Sequence, residues 1–273
     1  GAWSTGGNLN TARTNIANAG TQTSALGFGG DPAPTRAFTE SYNGTSWTEV
    51  GDLNTGRNTM GGSGASNTAA LCFGGTISPA VTELWNGSNW TEVNDLNTGR
   101  LYLSGAGTTT ASIAVGGEVP GGNSAVTELW NGTNWTEVND LNTARYAGAT
   151  AGITTSALTF GGANPRYANT ESWNGTNWTE VADLSAAKQA MGAAGTSNTS
   201  ALGFGGTSPI TANTEQWNGS SWTEVANLSV ARRQLGGAGT VDAALAFGGD
   251  VPPNSTSTEE WNSPSNVVKT LTD

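Results

Sequence analysis

The chain contains no histidine. That absence removes imidazole acid–base catalysis, Ser-His-Asp triads and imidazole metal sites. The groups left with chemical potential are carboxylates, cations and a single thiol. The glutamates fall in two series: Glu40, Glu83, Glu128, Glu171, Glu215 and Glu259, then Glu49, Glu92, Glu137, Glu180 and Glu224. Paired carboxylates can hydrolyse a glycoside. A residue present in every copy of a repeat reads as scaffold rather than as one active site, so Glu118 and Asp242, outside both series, are the carboxylates an enzyme would use. The cations form a third series, Arg13, Arg57, Arg100, Arg145, Lys188 and Arg232. Such a ring can bind an anion at a channel mouth; the structural reading is that each cation pairs with carboxylates or carbonyls of a neighbouring repeat.

Cys72 fills a slot that Gly203 fills in another copy. It reads as a small buried side chain. It has no partner base to make it a nucleophile and no second cysteine for a disulfide. Asn-Gly-Ser/Thr at Asn43, Asn86, Asn131, Asn174 and Asn218 matches a glycosylation acceptor. Asn-Gly is also what a tight hairpin requires, and its repetition favours the hairpin.

These series exist because the chain is one unit written six times. The basic residues stand 43 to 45 apart, Gly-Gly pairs fall at 29–30, 74–75, 116–117, 161–162, 205–206 and 248–249, and tryptophans recur at Trp47, Trp90, Trp135, Trp178 and Trp222. A fixed period in this range is the signature of a repeat architecture. Four short strands fit each unit. The first is Gly/Ala-rich, as in 235–240, and suits a crowded innermost position. The second, SALGF at 200–204, alternates Leu202 and Phe204 on one face with Ala201 and Gly203 on the other. Neighbouring units can therefore nest large side chains onto small ones. The Gly-Gly pair permits a turn closed to residues with a Cβ. Strands three and four, TESW (170–173) and WTEV (178–181), flank the hairpin NGTN. A four-residue loop sets Trp173 opposite Trp178; a two-residue turn sets Trp178 opposite Glu171. The sequence allows either.

A basic residue, a Gly-rich strand, a hydrophobic strand ending in Gly-Gly, then an aromatic and a tryptophan a few residues apart: this order resembles the kelch repeat over essentially the whole chain. The resemblance implies an all-β fold, a six-bladed β-propeller of four-stranded blades around a central channel. The chain departs from the kelch pattern in its shortened strand three–four hairpin, and in Trp where kelch usually has Tyr, which only Tyr42 keeps. A copper-radical oxidase, known on some kelch propellers, needs His ligands that this chain lacks. The near-identical phrases LNTAR, SALGFGG and TEEWN also resemble repeat proteins of marine tailed bacteriophages, cyanophages among them. That resemblance implies a virion protein.

Composition narrows the classes further. The formal charge is −11 with only 10 Lys and Arg. That opposes binding to nucleic acid or to an anionic membrane surface. No apolar run approaches membrane-span length, and no cleavable signal pattern opens the sequence. The start in mid-motif at Gly1 suits a fragment or a processed product. No cofactor is expected.

The last copy reaches Glu259-Glu260-Trp261-Asn262 without a following WTEV. Trp3 precedes Arg13 by ten residues, the spacing found between Trp47 and Arg57 and in every later copy. Residues 1–9 are therefore expected to complete blade six, making 1–262 a single propeller closed by its N-terminal strand, with 263–273 as a C-terminal tail. The rival closing strand is Val267–Leu271.

The copies differ from one another in two places. One is the bridges after Gly-Gly: 31–38, 76–81, 118–126, 163–169, 207–213 and 250–257. The other is the pair after each basic residue, from Thr14-Asn15 round to Arg233-Gln234. In a propeller both sets emerge on one face, and loops on a rigid scaffold are where binding usually lives. Free drift of those loops is the competing explanation. The side chains expected to make contact are Arg36, Tyr102, Tyr146, Arg166, Tyr167, Arg233 and Gln234. The expectation is a non-enzymatic binding or structural module of a phage particle, outside the cell, used for host adhesion or for particle decoration. Its partners would be a host-surface glycan or protein, or other virion proteins, and a homo-oligomer is admitted. The rivals are a carbohydrate-active enzyme with channel carboxylates and a cellular kelch interaction module.

Overall fold

The computed structural model describes residues 1–264 apart from 78 and 208. It is a β-propeller of six blades, each a four-stranded antiparallel sheet. Blade four shows the plan: Ala149–Ile153 innermost, then Ser156–Phe160, Thr170–Trp173 and, outermost, Trp178–Val181. Blade three adds a two-stranded hairpin, Glu118–Val119 with Gly122–Asn123, in its bridge. Blade six takes its outer strand from the other end of the chain. Ala2–Thr5 pairs with Thr258–Asn262, and Trp3 lies opposite Trp261. This closure leaves no gap in the ring of blades. The rival strand Val267–Leu271, and all of the tail beyond 264, lie outside the described residues.

Nesting of large side chains on small ones holds the blades together. A Cβ on Gly203 would come within 2.6 Å of the Phe160 ring in the preceding blade, and one on Gly27 within 2.8 Å of the Phe247 ring. Leu158 and Phe160 thus share one apolar cluster with Ala201 and Trp217 of the next blade. The NG hairpin is a four-residue loop, so Trp173 and Trp178 face each other with ring centroids 5.3 Å apart. The Asn174 side-chain oxygen accepts the N–H groups of Thr176 and Asn177, the reason this turn uses asparagine.

The two tryptophans of a unit do different work. The first holds its own blade: Trp173 Nε1 donates to the Thr154 carbonyl in the strand one–two turn. The second reaches across: Trp178 Nε1 donates to Thr127 Oγ1 in the preceding blade. Trp47 and Trp3 make the same bond to Thr258 and Thr214, so the device crosses the closure. Where Tyr42 stands in for the first tryptophan, its hydroxyl donates to Glu260 of blade six at 2.6 Å. Burial, and then this carboxylate, push its pKa up to about 12.

Candidate functional site: the channel mouth and its loop face

The repeated ionic residues are scaffold, as their repetition suggests. Arg145 Nη2 bonds Glu171 at 2.7 Å, and its Nη1 bonds the carbonyls of Gly161 and Asn169. The pattern recurs with Arg13, Arg57, Arg100 and Arg232, all buried. The partners lie in the blade that the cation leads into, not in a neighbouring one. Burial lowers the pKa of Arg13, Arg100, Arg145 and Arg232, and the paired glutamates oppose that shift; an arginine stays charged under both influences. The motif LNTAR adds a piece that sequence reasoning missed. Asn142 donates through its backbone and side-chain N–H to the other oxygen of Glu171, and its side chain also reaches the Trp178 carbonyl. The buried glutamate is thereby satisfied on both oxygens. Cys72 is buried beside Arg57, and burial pushes its thiol up to about 12. It is not poised as a nucleophile.

Gly161 and Gly205 adopt φ of 65° and 66°. They lie so close to the following blade that a Cβ would meet the carbonyls of Lys188 and Arg232 at 2.6 and 2.5 Å. The next glycine latches the same blades: Gly162 N–H donates to the Lys188 carbonyl, and Gly206 N–H to that of Arg232, both at 2.8 Å.

Just past the Gly-Gly pair, the bridge meets the residue following the blade's basic residue. Single antiparallel bridges join Thr14 to Asp31, Leu101 to Glu118, Tyr146 to Ala163, Gln189 to Thr207 and Arg233 to Asp250. The two variable sets therefore share one face. The NG hairpins turn on the other face, where Gly44 packs beside Thr23 of the strand one–two turn.

The next residue along lines the channel mouth, and here the backbone does something unannounced in the sequence. Asn15, Thr59, Tyr102, Ala147, Ala190 and Gln234 all adopt φ between 50° and 58°. Only asparagine among these types favours that region. The conformation turns each N–H toward the preceding blade. Gln234 donates to the Ala190 carbonyl, Ala190 to Ala147, Ala147 to Tyr102, Tyr102 to Thr59, and Asn15 to Gln234, at 2.7–2.9 Å. Five of six junctions are closed this way. The sixth, between Asn15 and Thr59, carries no such bond among the described residues. There the Asp31 carboxylate instead accepts the side-chain N–H groups of Asn15 and Asn58.

This ring rims a cavity of about 260 Å³ whose lining has no charged side chain among the described residues. One residue deeper runs a collar of Ile16, Met60, Leu103, Met191 and Leu235, with Gly148 in the blade-four position. Below it the channel narrows to a space of about 120 Å³, walled mostly by glycine, alanine and small hydroxyl residues, and then opens at the far mouth into about 290 Å³.

The seven expected contact residues separate into three groups. Tyr102, Tyr146 and Gln234 line the mouth, with the two tyrosine rings 5.6 Å apart and tilted. Tyr102 has its pKa raised by burial and then by the charges of Glu118 and Asp31. Arg36 and Arg233 flank it, each half-exposed and ion-paired, with Asp31 and Asp250 respectively. Arg166 is exposed on the blade-four bridge, while Tyr167 lies under the guanidinium of Arg145, 5.4 Å from its ring centre, and belongs in part to the scaffold. Glu118 sits in the blade-three hairpin and Asp242 at an exposed strand one–two turn; neither lines the channel among the described residues. The described residues contain no group of three or more Cys, Asp or Glu able to hold a metal.

No protein-family model matches the chain, and no curated protein matches it.

Proposed function

We propose that this propeller is a non-enzymatic binding module carried on a phage particle, and that it makes contact through the loop face around the channel mouth. The observation that carries the reading is the contrast between the two faces of one scaffold. On the loop face the equivalent positions hold Asn15, Thr59, Tyr102, Ala147, Ala190 and Gln234, and the bridges differ in length and content. On the other face Asn-Gly recurs in five hairpins. The hairpin itself holds Asn-Gly constant, whereas the loop face is free to vary, and what stands there includes Tyr102, Tyr146, Arg36, Arg166 and Arg233. Arg and Tyr, which supply stacking area together with hydrogen bonds, are the residue types that dominate contact energies. Ile77, 71 % exposed, stands on the same face. The phage assignment rests on the wording of the repeat, and host adhesion and particle decoration are the two roles it carries.

The test uses labelled protein on marine cyanobacterial cells and on tailed phage particles. Replacing Tyr102, Tyr146 and Arg166 together by alanine should leave melting nearly unchanged and weaken attachment at least tenfold, as loss of aromatic and Arg anchors does. Tyr167 is left in place because it covers Arg145. Attachment that survives this change but fails when the NG hairpins are altered puts the contact on the wrong face.

A further inference from the structure

The mouth itself has the chemistry of a small built site. Two of its features are unlike the rest of the ring. The first lies on blades three and four. Tyr102 and Tyr146 form an aromatic wall, and the collar beneath them is interrupted by Gly148, where other blades carry Ile16, Met60, Leu103, Met191 or Leu235. A Cβ at Gly148 would find only ordinary contacts, the nearest at 3.4 Å, and its φ lies outside the left-handed region, so the backbone does not require glycine there. A Cβ there would lie against the Gly161 and Phe160 carbonyls and the Arg145 stem, and the collar lacks a side chain at this step, in the same cavity wall as the two tyrosines.

The second lies at the junction of blades one and two, where the ring of hydrogen bonds is open. Thr59 is a β-branched residue at φ 56°, an arrangement that is sterically costly. It is 6 % exposed, and its hydroxyl is buried with no hydrogen-bond partner among the described residues. Its N–H and the carbonyl of Asn15 make none of the ring's bonds among the described residues. A native fold seldom leaves a donor, an acceptor and a hydroxyl idle at one place. Across the mouth, Gln189 and Gln234 add further amide groups.

We propose that the channel mouth binds one ring of a neutral saccharide. The apolar face of a pyranose stacks on Tyr102 and Tyr146 over the Gly148 gap. One of its hydroxyls enters the open junction, accepting from Thr59 N–H and donating to the Asn15 carbonyl. The cavity of about 260 Å³ suits one sugar ring, not a chain. The absence of charge in its lining, with Asp31 and Glu118 close behind the rim, selects against acidic sugars. An aromatic platform beside fixed amide and hydroxyl groups is a surface that apolar ligands use only in part and sugars use in full. This proposal rests on the adhesion reading for its biological use, but not for its chemistry.

Saturation-transfer NMR tests it with the methyl glycosides of glucose, galactose, mannose and N-acetylglucosamine, and with sialic acid as the acidic control. At least one neutral glycoside should give a signal and sialic acid none. Gly148→Leu, which copies the Leu103 and Leu235 collar, should abolish the signal with melting unchanged. Tyr102→Ala with Tyr146→Ala should weaken it by about tenfold or more, the usual cost of losing an aromatic anchor. Thr59→Gly keeps the N–H that the sugar uses, so it should raise the melting temperature by releasing backbone strain and leave the signal in place; a signal lost with that change overturns the junction contact. A signal from no neutral glycoside, or one that Gly148→Leu leaves intact, overturns the proposal; so does a water molecule seen closing the Asn15–Thr59 junction in a crystal soaked with these sugars. Protein that attaches to cells while giving no signal sinks the saccharide site and leaves the adhesion reading standing; the reverse result does the opposite.

Discussion

Lys188 is the one lysine in a ring of arginines, and replacing it tests whether these buried cations act by charge or by shape. In blade four the Arg145 guanidinium makes four bonds: Nη2 to Glu171 at 2.7 Å, Nη1 to Gly161 O at 2.9 Å and Asn169 O at 2.8 Å, and Nε to Thr143 O at 3.3 Å. In blade five Lys188 Nζ bonds Glu215 at 2.5 Å, and the matching carbonyls of Gly205 and Asn213 receive no cation among the described residues. Asn213 O still accepts Gly205 N–H at 3.0 Å, so the carbonyl most in need is that of Gly205. A hydrogen bond to a charged group contributes about 1.5–3 kcal/mol, and Lys188→Arg adds two. Part of that gain is cancelled if the new Nε–H is left like those of Arg13, Arg57 and Arg232, buried without a partner among the described residues, rather than like those of Arg100 and Arg145, which donate to the Thr98 and Thr143 carbonyls at 3.3 Å. The net expectation is a gain of about 1–3 kcal/mol. At about 2–4 °C per kcal/mol for a chain of this size, Lys188→Arg should raise the melting temperature by roughly 2–12 °C. The mirror change, Arg145→Lys, keeps the charge and strands the Gly161 carbonyl, so it should cost about 2–4 kcal/mol. Calorimetry and urea titration on both variants decide the matter. If neither moves by more than about 0.5 kcal/mol, the fork contributes nothing beyond its charge, and the shape argument is wrong.

Three further outcomes follow from the same geometry. Deleting residues 1–9 removes Trp3, its bond to Thr214 and its packing on Phe204 and Trp261; it should cost at least about 3–5 kcal/mol by urea unfolding, and a deletion that melts like the parent would disprove closure by the N-terminal strand. Gly205→Val forces a β-branched residue to φ 66° against the Arg232 carbonyl, so it should lose more than about 3 kcal/mol or fail to fold, whereas a soluble variant of parental stability removes the steric argument. Tyr42 ionises at about 12 in the folded chain against an ordinary 10.0, so the stability it contributes is complete below pH 10 and is lost as pH rises through 12; unfolding at pH 9 and pH 11.5 should show the parent losing about 2 kcal/mol more than Tyr42→Phe, and equal losses would contradict it.

The fold was legible because each blade states it again. Gly-Gly, the hairpin Asn-Gly and the Leu/Phe over Ala/Gly alternation are local rules, and six copies remove the ambiguity that one copy leaves. The ten-residue step from Trp3 to Arg13 even carried the closure, since a ring has no other place for an orphan outer strand. What one copy could not decide was the NG loop length: it depends on the Asn174 side chain accepting two N–H groups, and sequence spacing alone permits a shorter turn too. The same limit put the cation's partners in the wrong blade. Arg145 and Glu171 are 26 residues apart, and the repeat pattern shows that they alternate without showing which pairs close.

The candidate site was legible only in outline, for a physical reason. Variation between copies marks a face, since positions free of packing constraints can diverge, and it led to Tyr102, Tyr146 and Gln234 at the mouth. It also led to Tyr167, whose ring answers to Arg145 and is only half free. The ring of left-handed residues could not be read at all. A left-handed φ is announced by glycine or asparagine, and five of these six positions carry Thr, Tyr, Ala, Ala and Gln. Their conformation is imposed by the latch on one side and the collar on the other, and the ring bond that results is a property of the closed assembly. No single blade possesses it. Because every member of the ring is held by its neighbours, the side chain at each position is free to change without loss of fold. A scaffold that fixes backbone strain collectively and releases side chains individually can carry a different mouth in each variant of the same repeat.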